Sequence, residues 1–143
     1  MKLATIGYER QTLPEVIERL KKAGVEVLID VRAVAASRRP GFSKTMLAAT
    51  LAENGIDYIH LRQLGTPKEG RLAARSGRVA EMRAIYERHL QEPAAQLELA
   101  HAAAIARDRH AALLCYEASA AHCHRAIVAD RLSETLGCDI ENL

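Results

Sequence analysis

Short apolar runs alternate along the chain with apolar stripes at helical spacing. Leu3 to Ile6 is an apolar run closed by Gly7, and it reads as a strand. Val16, Ile17, Leu20 and Ala23 form one stripe behind Pro14, whose missing N–H costs little in a first turn. A helix is therefore expected from Leu13 to the stop at Gly24. Val25 to Val31 is mostly β-branched and reads as a strand buried on both faces. Thr45 to Asn54 follows as a helix, with Ser43 as candidate N-cap and Gly55 beyond its end. Asp57 to Leu61 is a third strand. Val79 to Leu90 and the alanine-rich Pro93 to Arg107 are two more helices. Ala111 to Tyr116 is a fourth strand, and His122 to Leu136 a helix closed by Gly137. Cys138 to Ile140 is a short candidate fifth strand. Arg32 to Lys44 and Arg62 to Gly77 are punctuated by Gly and Pro and read as loops.

Strands that alternate with helices of this length predict a parallel arrangement. The expected fold is α/β: a three-layer sandwich with a mostly parallel sheet of four to five strands and helices on both faces. At 143 residues it forms a single domain spanning 1–143.

Composition narrows the function classes. Hydrophobic residues are 49% and charged residues 27%, which suits a globular chain rather than a disordered one. No apolar run approaches the roughly 18 residues of a membrane helix. The N-terminal stretch from Met1 to Tyr8 does not read as a signal peptide. The expectation is a cytoplasmic protein without a membrane partner. Three clustered cysteines, Cys115, Cys123 and Cys138, argue against a disulfide framework. The net charge of +2 hides an asymmetry. Residues 32–88 carry eleven Lys/Arg against five Asp/Glu, and the remainder nine against thirteen, so one side of the molecule attracts anions.

In open α/β sheets, ligands sit beyond the carboxyl ends of the strands. Three polar segments fall at that edge: Gly7-Tyr8-Glu9, Asp30-Val31-Arg32 with its loop, and Cys115-Tyr116-Glu117. The stretch from Cys115 to Arg125 carries the most chemistry. Glu117 and Asp30 are the acid–base candidates, and Cys115 or Cys123 is the candidate nucleophile. Arg32, Arg38, Lys44 and Arg125 are candidate anion contacts, with His124, Tyr8 and Phe42 lining the same mouth. Each has a plainer structural reading: Arg32 bridging Asp30 or Glu117, Phe42 plugging the core, and the cysteines as buried small hydrophobes.

A cysteine-phosphatase loop needs Arg six positions after its Cys, where Ala121 and Ala129 stand, so that motif is absent. Cys115 has the position of a persulfide-carrying cysteine, although Glu117 would repel a charged sulfur. Cys115, Glu117, Cys123 and His124 are competent metal ligands, but Cys-x7-Cys-His is not a familiar zinc spacing, and His60 joins them only through folding. The spacing therefore predicts no metal, and it names no cofactor.

Several motifs in register resemble a known family. They are Thr5-Ile6-Gly7-Tyr8-Glu9; Ile29-Asp30-Val31-Arg32 with Ser37-Arg38 and Gly41-Phe42-Ser43-Lys44; Tyr58-Ile59-His60-Leu61 with Leu64-Gly65; Leu114-Cys115-Tyr116-Glu117; and Cys123-His124-Arg125. Over essentially the whole chain they resemble the prokaryotic family of domain of unknown function 488. The resemblance implies a polar site at the matched residues and names no reaction. One departure stands out: members often carry Asp between the Glu and the Cys-His-Arg, where this chain has Ala118-Ser119-Ala120-Ala121.

The leading expectation is an enzyme acting on a phosphate-bearing ligand, either a nucleotide or a nucleic acid. The rivals are a non-catalytic nucleic-acid-binding module and a rhodanese-like thiol or sulfur-transfer protein. The sequence does not specify the oligomeric state.

Overall fold

A computed structural model describes Met1–Leu143 in full. Five strands form one sheet: β1 (Lys2–Gly7), β2 (Val27–Asp30), β3 (Asp57–His60), β4 (Ala111–Cys115) and β5 (Asp139–Asn142). Their order is β3-β2-β4-β1-β5, and every pairing is parallel. Six helices cover the sheet: α1 (Leu13–Lys22), α2 (Lys44–Glu53), α3 (Lys68–Arg75), α4 (Val79–Leu90), α5 (Pro93–Asp108) and α6 (Arg125–Leu136). The three-layer α/β sandwich of the sequence reading is what the chain adopts.

Strand alternation divides the core into two layers. Ala4, Ile6, Leu28, Ala112 and Leu114 face α1 and α2, packing on Val16, Leu20, Leu47 and Leu51. Leu3, Val27, Ile29, Ala111 and Leu113 face the other helices, among Met82, Tyr86, Ala102, Val128 and Leu132. The connections after β1 and β2 thus run over one face, and those after β3 and β4 over the other. Because β4 lies between β1 and β2, its carboxyl end is a point where the connections part to opposite faces. That is where an α/β sheet leaves a crevice. Cys115 closes β4 there, in register with Gly7 of β1.

Three local outcomes differ from the sequence expectation. The segment 62–77 is not simply a loop. It holds a 3-10 turn, Arg62–Leu64, and then α3. Gly70 disguises that helix in the sequence; a Cβ there would collide with the Thr66 methyl group, so the residue is set by packing. The last helix starts at Arg125 rather than His122, because Cys123 is extended (φ −126, ψ 145) after a 3-10 turn at Ala120–His122. Ser43 precedes α2 but does not cap it; its Oγ accepts from Ser37 N and donates to Ser37 O. α1 does carry a capping box, with Thr12 and Glu15 satisfying each other's backbone N–H. No helix is long and apolar enough to cross a membrane.

Candidate functional site

The end of β2 builds a closed polar knot. Asp30 is fully buried and accepts from Arg32 N (3.0 Å), Arg32 Nε (2.9 Å), Arg32 NH2 (2.7 Å) and the Tyr58 hydroxyl. Arg32 gives its remaining NH1 to the Tyr8 hydroxyl (3.1 Å) and the Phe42 carbonyl (2.8 Å). Phe42 stacks on the Tyr8 ring with centroids 4.3 Å apart, and both rings are buried. Desolvation and the bond to Asp30 hold the Tyr58 hydroxyl well above its ordinary pKa. Asp30, Arg32, Tyr8 and Phe42 thus brace one wall, and each nitrogen of the Arg32 guanidinium is bonded within the protein.

The end of β4 is chemically richer. The Sγ atoms of Cys115 and Cys123 meet in covalent contact, where the cysteine count had argued against a disulfide framework. Eight residues separate the two in the chain, and the extended Cys123 turns back onto the strand end. Their Cα atoms stand 7.3 Å apart, wider than the roughly 4.4–6.8 Å that a disulfide ordinarily spans.

His124 is buried beside them. Its Nε2 lies 2.7 Å from the Val31 carbonyl, so Nε2 carries the proton and donates. Burial pulls the imidazole down to about 4, against the pull of that hydrogen bond, and the ring is neutral at pH 7. The Nδ1 lone pair therefore faces the Cys123 sulfur, 3.7 Å away.

Arg125 is completely enclosed without a carboxylate partner. Its NH1 donates to the Glu117 carbonyl and to Cys115 Sγ (3.4 Å), and NH2 to the Ala118 carbonyl (3.1 Å). Nε has no partner. Burial lowers the guanidinium to about 10, yet it remains charged at neutral pH. A buried charge is costly unless compensated; the Glu117 carboxyl supplies the opposing charge, and the Cys115 sulfur lies against the same NH1. Glu117 Oε2 lies 3.3 Å from that same sulfur. Burial pushes the Glu117 carboxyl up, partly offset by its own backbone N–H, by Arg125 and by Arg75.

Gly7 makes this arrangement possible. A Cβ at that position would fall on the Glu117 carbonyl and press on the Arg125 guanidinium. Glu9 completes the joint: its N–H donates to the Tyr116 carbonyl (2.9 Å), and its carboxylate accepts from Ala118 N (3.0 Å).

These groups open into a cleft of about 640 Å³ at the carboxyl edge of the sheet. Cys115, Glu117, Cys123 and His124 lie at its base, with Tyr8 and Arg32 beside them. Arg38 and Lys44 are exposed and do not line it. The sequence reading missed two further lining residues, Arg71 and Arg75, one turn apart on α3. Arg71 donates through NH1 to the Thr66 carbonyl (2.9 Å), and Arg75 is exposed. Their i, i+4 spacing was the only available signal, and it looks like any solvated helix face once the segment is taken for a loop.

A family model described as Domain of unknown function DUF488 matches residues 12–132. No curated protein and no solved structure matches the chain.

Proposed function

The chain belongs to the DUF488 family, whose description carries no activity, and we propose from the site's own chemistry that it is an enzyme acting on a phosphate-bearing ligand held in the strand-end cleft. One observation carries the reading: Cys115, Glu117, Cys123 and His124 line a cleft that Arg71 and Arg75 also line. The two arginines are the anion contacts, since Arg75 is uncommitted and Arg71 gives only NH1 to the protein. Arg32 and Arg125 act as positioning residues, holding the walls through hydrogen bonds within the protein. Glu117, with its proton affinity raised by burial, is the proton-handling group. The ligand class is a nucleotide or the end of a nucleic acid, in keeping with the basic span 32–88.

Equilibrium binding of a nucleotide panel and of short single-stranded oligonucleotides tests this. Arg75→Ala is expected to weaken the best ligand by about 1.5–3 kcal/mol, or roughly 10- to 150-fold, the worth of a charge-assisted hydrogen bond. Unchanged affinity in folded Arg75→Ala and Arg71→Ala variants overturns the assignment.

A second reading, thiol or sulfur-transfer chemistry, is favoured by the Arg125 guanidinium set against Cys115 Sγ. It requires Cys115 in the reduced protein to be alkylated at pH 7 faster than a free thiol. A rate at or below that of a free thiol removes it.

A further inference from the structure

We propose that Cys115, Cys123 and His124 form a zinc-type metal site that keeps a fourth coordination position open to the cleft. The proposal departs from the spacing reading and does not depend on the phosphate-ligand assignment. The two sulfurs and a His124 ring nitrogen all lie within 4.8 Å of one another, and all three residues are buried. With Zn–S about 2.3 Å and Zn–N about 2.0–2.1 Å, neighbouring S and N ligands of a tetrahedral ion stand about 3.6 Å apart. Cys123 Sγ and His124 Nδ1 stand 3.7 Å apart.

The supporting groups are also in place. His124 Nε2–H donates to the Val31 carbonyl, which fixes the tautomer and aims the Nδ1 lone pair at the sulfurs. Metal-bound histidines almost always make such an outer bond. Arg125 NH1 donates to Cys115 Sγ, which favours the thiolate that coordination requires. An ion between two thiolates also suits the 7.3 Å Cα separation, which exceeds the usual reach of a disulfide. Two thiolates and an imidazole select zinc over magnesium, calcium or manganese. Three protein ligands with a free position is the pattern of catalytic rather than structural zinc. The open side faces the cleft, where Glu117 also lies.

The ligands come from a strand end, an extended residue and the first cap of a helix, so no regular spacing announces them. The proton balance is simple: each cysteine thiol that coordinates releases its proton to solvent, and no electrons move. When the sulfurs are joined as a disulfide, the pair must first take up two electrons from a phosphine reductant, which leaves as its oxide, and two protons from the water that supplies that oxygen.

The test uses the full chain, reduced with a phosphine under nitrogen and titrated with Co²⁺ and then Zn²⁺. One Co²⁺ per chain is expected, with thiolate-to-cobalt charge-transfer absorption and the visible bands of a tetrahedral ion, displaced by Zn²⁺. Cys115→Ser and Cys123→Ser should each weaken binding by at least the roughly 10- to 100-fold that losing even an outer-shell partner costs. Cys138→Ser, at a residue outside the cluster, should change nothing. Absence of stoichiometric uptake by the reduced, folded protein overturns the proposal, as does full affinity in Cys123→Ser. If the serine variants fail to fold, alkylation of wild-type Cys115 and Cys123 replaces them. Zn²⁺ should then slow both reactions at least tenfold, and unchanged rates overturn the site. Nucleotide binding measured beside Arg75→Ala separates the two ideas: metal loss with nucleotide binding retained sinks only the metal site, and the reverse sinks only the phosphate reading.

Discussion

Asp30 is enclosed on every side, and its carboxylate answers three donors of Arg32 and the hydroxyl of Tyr58. That closure makes it a structural group, whatever chemistry the neighbouring strand end performs. Asp30→Asn leaves a buried guanidinium without its counter-charge, and such losses cost about 3–5 kcal/mol. Urea unfolding should show a lower midpoint at constant m-value. Tyr58 supplies a separate, pH-dependent prediction. Desolvation first, and the bond to Asp30 second, raise its folded pKa above the ordinary 10.0. The unfolded chain therefore loses this proton at lower pH than the folded one. The stabilisation is complete below about pH 10 and is lost as pH rises above it. Tyr58→Phe should lower stability at pH 7 by about 1.5–3 kcal/mol, the range for a bond to a charged group. It should also flatten the decline above pH 10 by up to about 1.4 kcal/mol per pH unit, less whatever solvent screening removes at this half-buried residue. An alkaline slope identical to wild type would show that Tyr58 is not the group responsible.

At the scale of elements, the joint between β1 and the loop after β4 decides whether the site exists. Gly7 is in register with Cys115, and a side chain there would strike the Glu117 carbonyl. Gly7→Ala must push that loop away, carrying Glu117 and both carbonyls that grip Arg125 with it. A stability loss of about 1–3 kcal/mol is expected, as for other overpacked positions. Cys115 should also alkylate faster than in wild type after reduction, because its loop no longer closes over it; an unchanged rate would show that the loop absorbs the methyl group. Much of this joint was legible in the sequence. The apolar runs of β1, β2 and β4 and the stripes of the helices between them follow simple periodicities, and their polar ends are therefore easy to locate. Element ends were harder. Whether the last helix begins at His122 or Arg125 depends on the backbone of Cys123, which only the tertiary closure onto Cys115 sets. α3 was hidden by Gly70, a residue chosen for its fit against Thr66 and misread as a break. With α3 went Arg71 and Arg75, since the same residues on a loop have no defined direction.

Over the whole molecule, the excess of Lys and Arg in residues 32–88 has two components. Arg71 and Arg75 line the cleft, whereas Arg38 and Lys44 are exposed outside it, on the segment whose earlier residues Ala33, Val34 and Ala36 do line it. A ligand confined to the cleft meets the first pair; a strand running out of it also meets the second. Salt dependence tells these apart, because each neutralised phosphate of a single strand contributes about −0.7 to the slope of log K against log salt concentration. Two contacts give a slope of about −1.4 and four about −2.8. The expected outcome is a shallow slope for a nucleotide carrying two or three phosphates and a steeper one for an oligonucleotide. Replacing Arg38 and Lys44 together by alanine should then return the oligonucleotide slope towards the nucleotide value and leave nucleotide affinity alone. Both side chains are exposed, so the double variant should fold as wild type does. A slope that ignores both ligand length and the double substitution would confine recognition to the cleft and make the ligand a small phosphate ester rather than a nucleic acid.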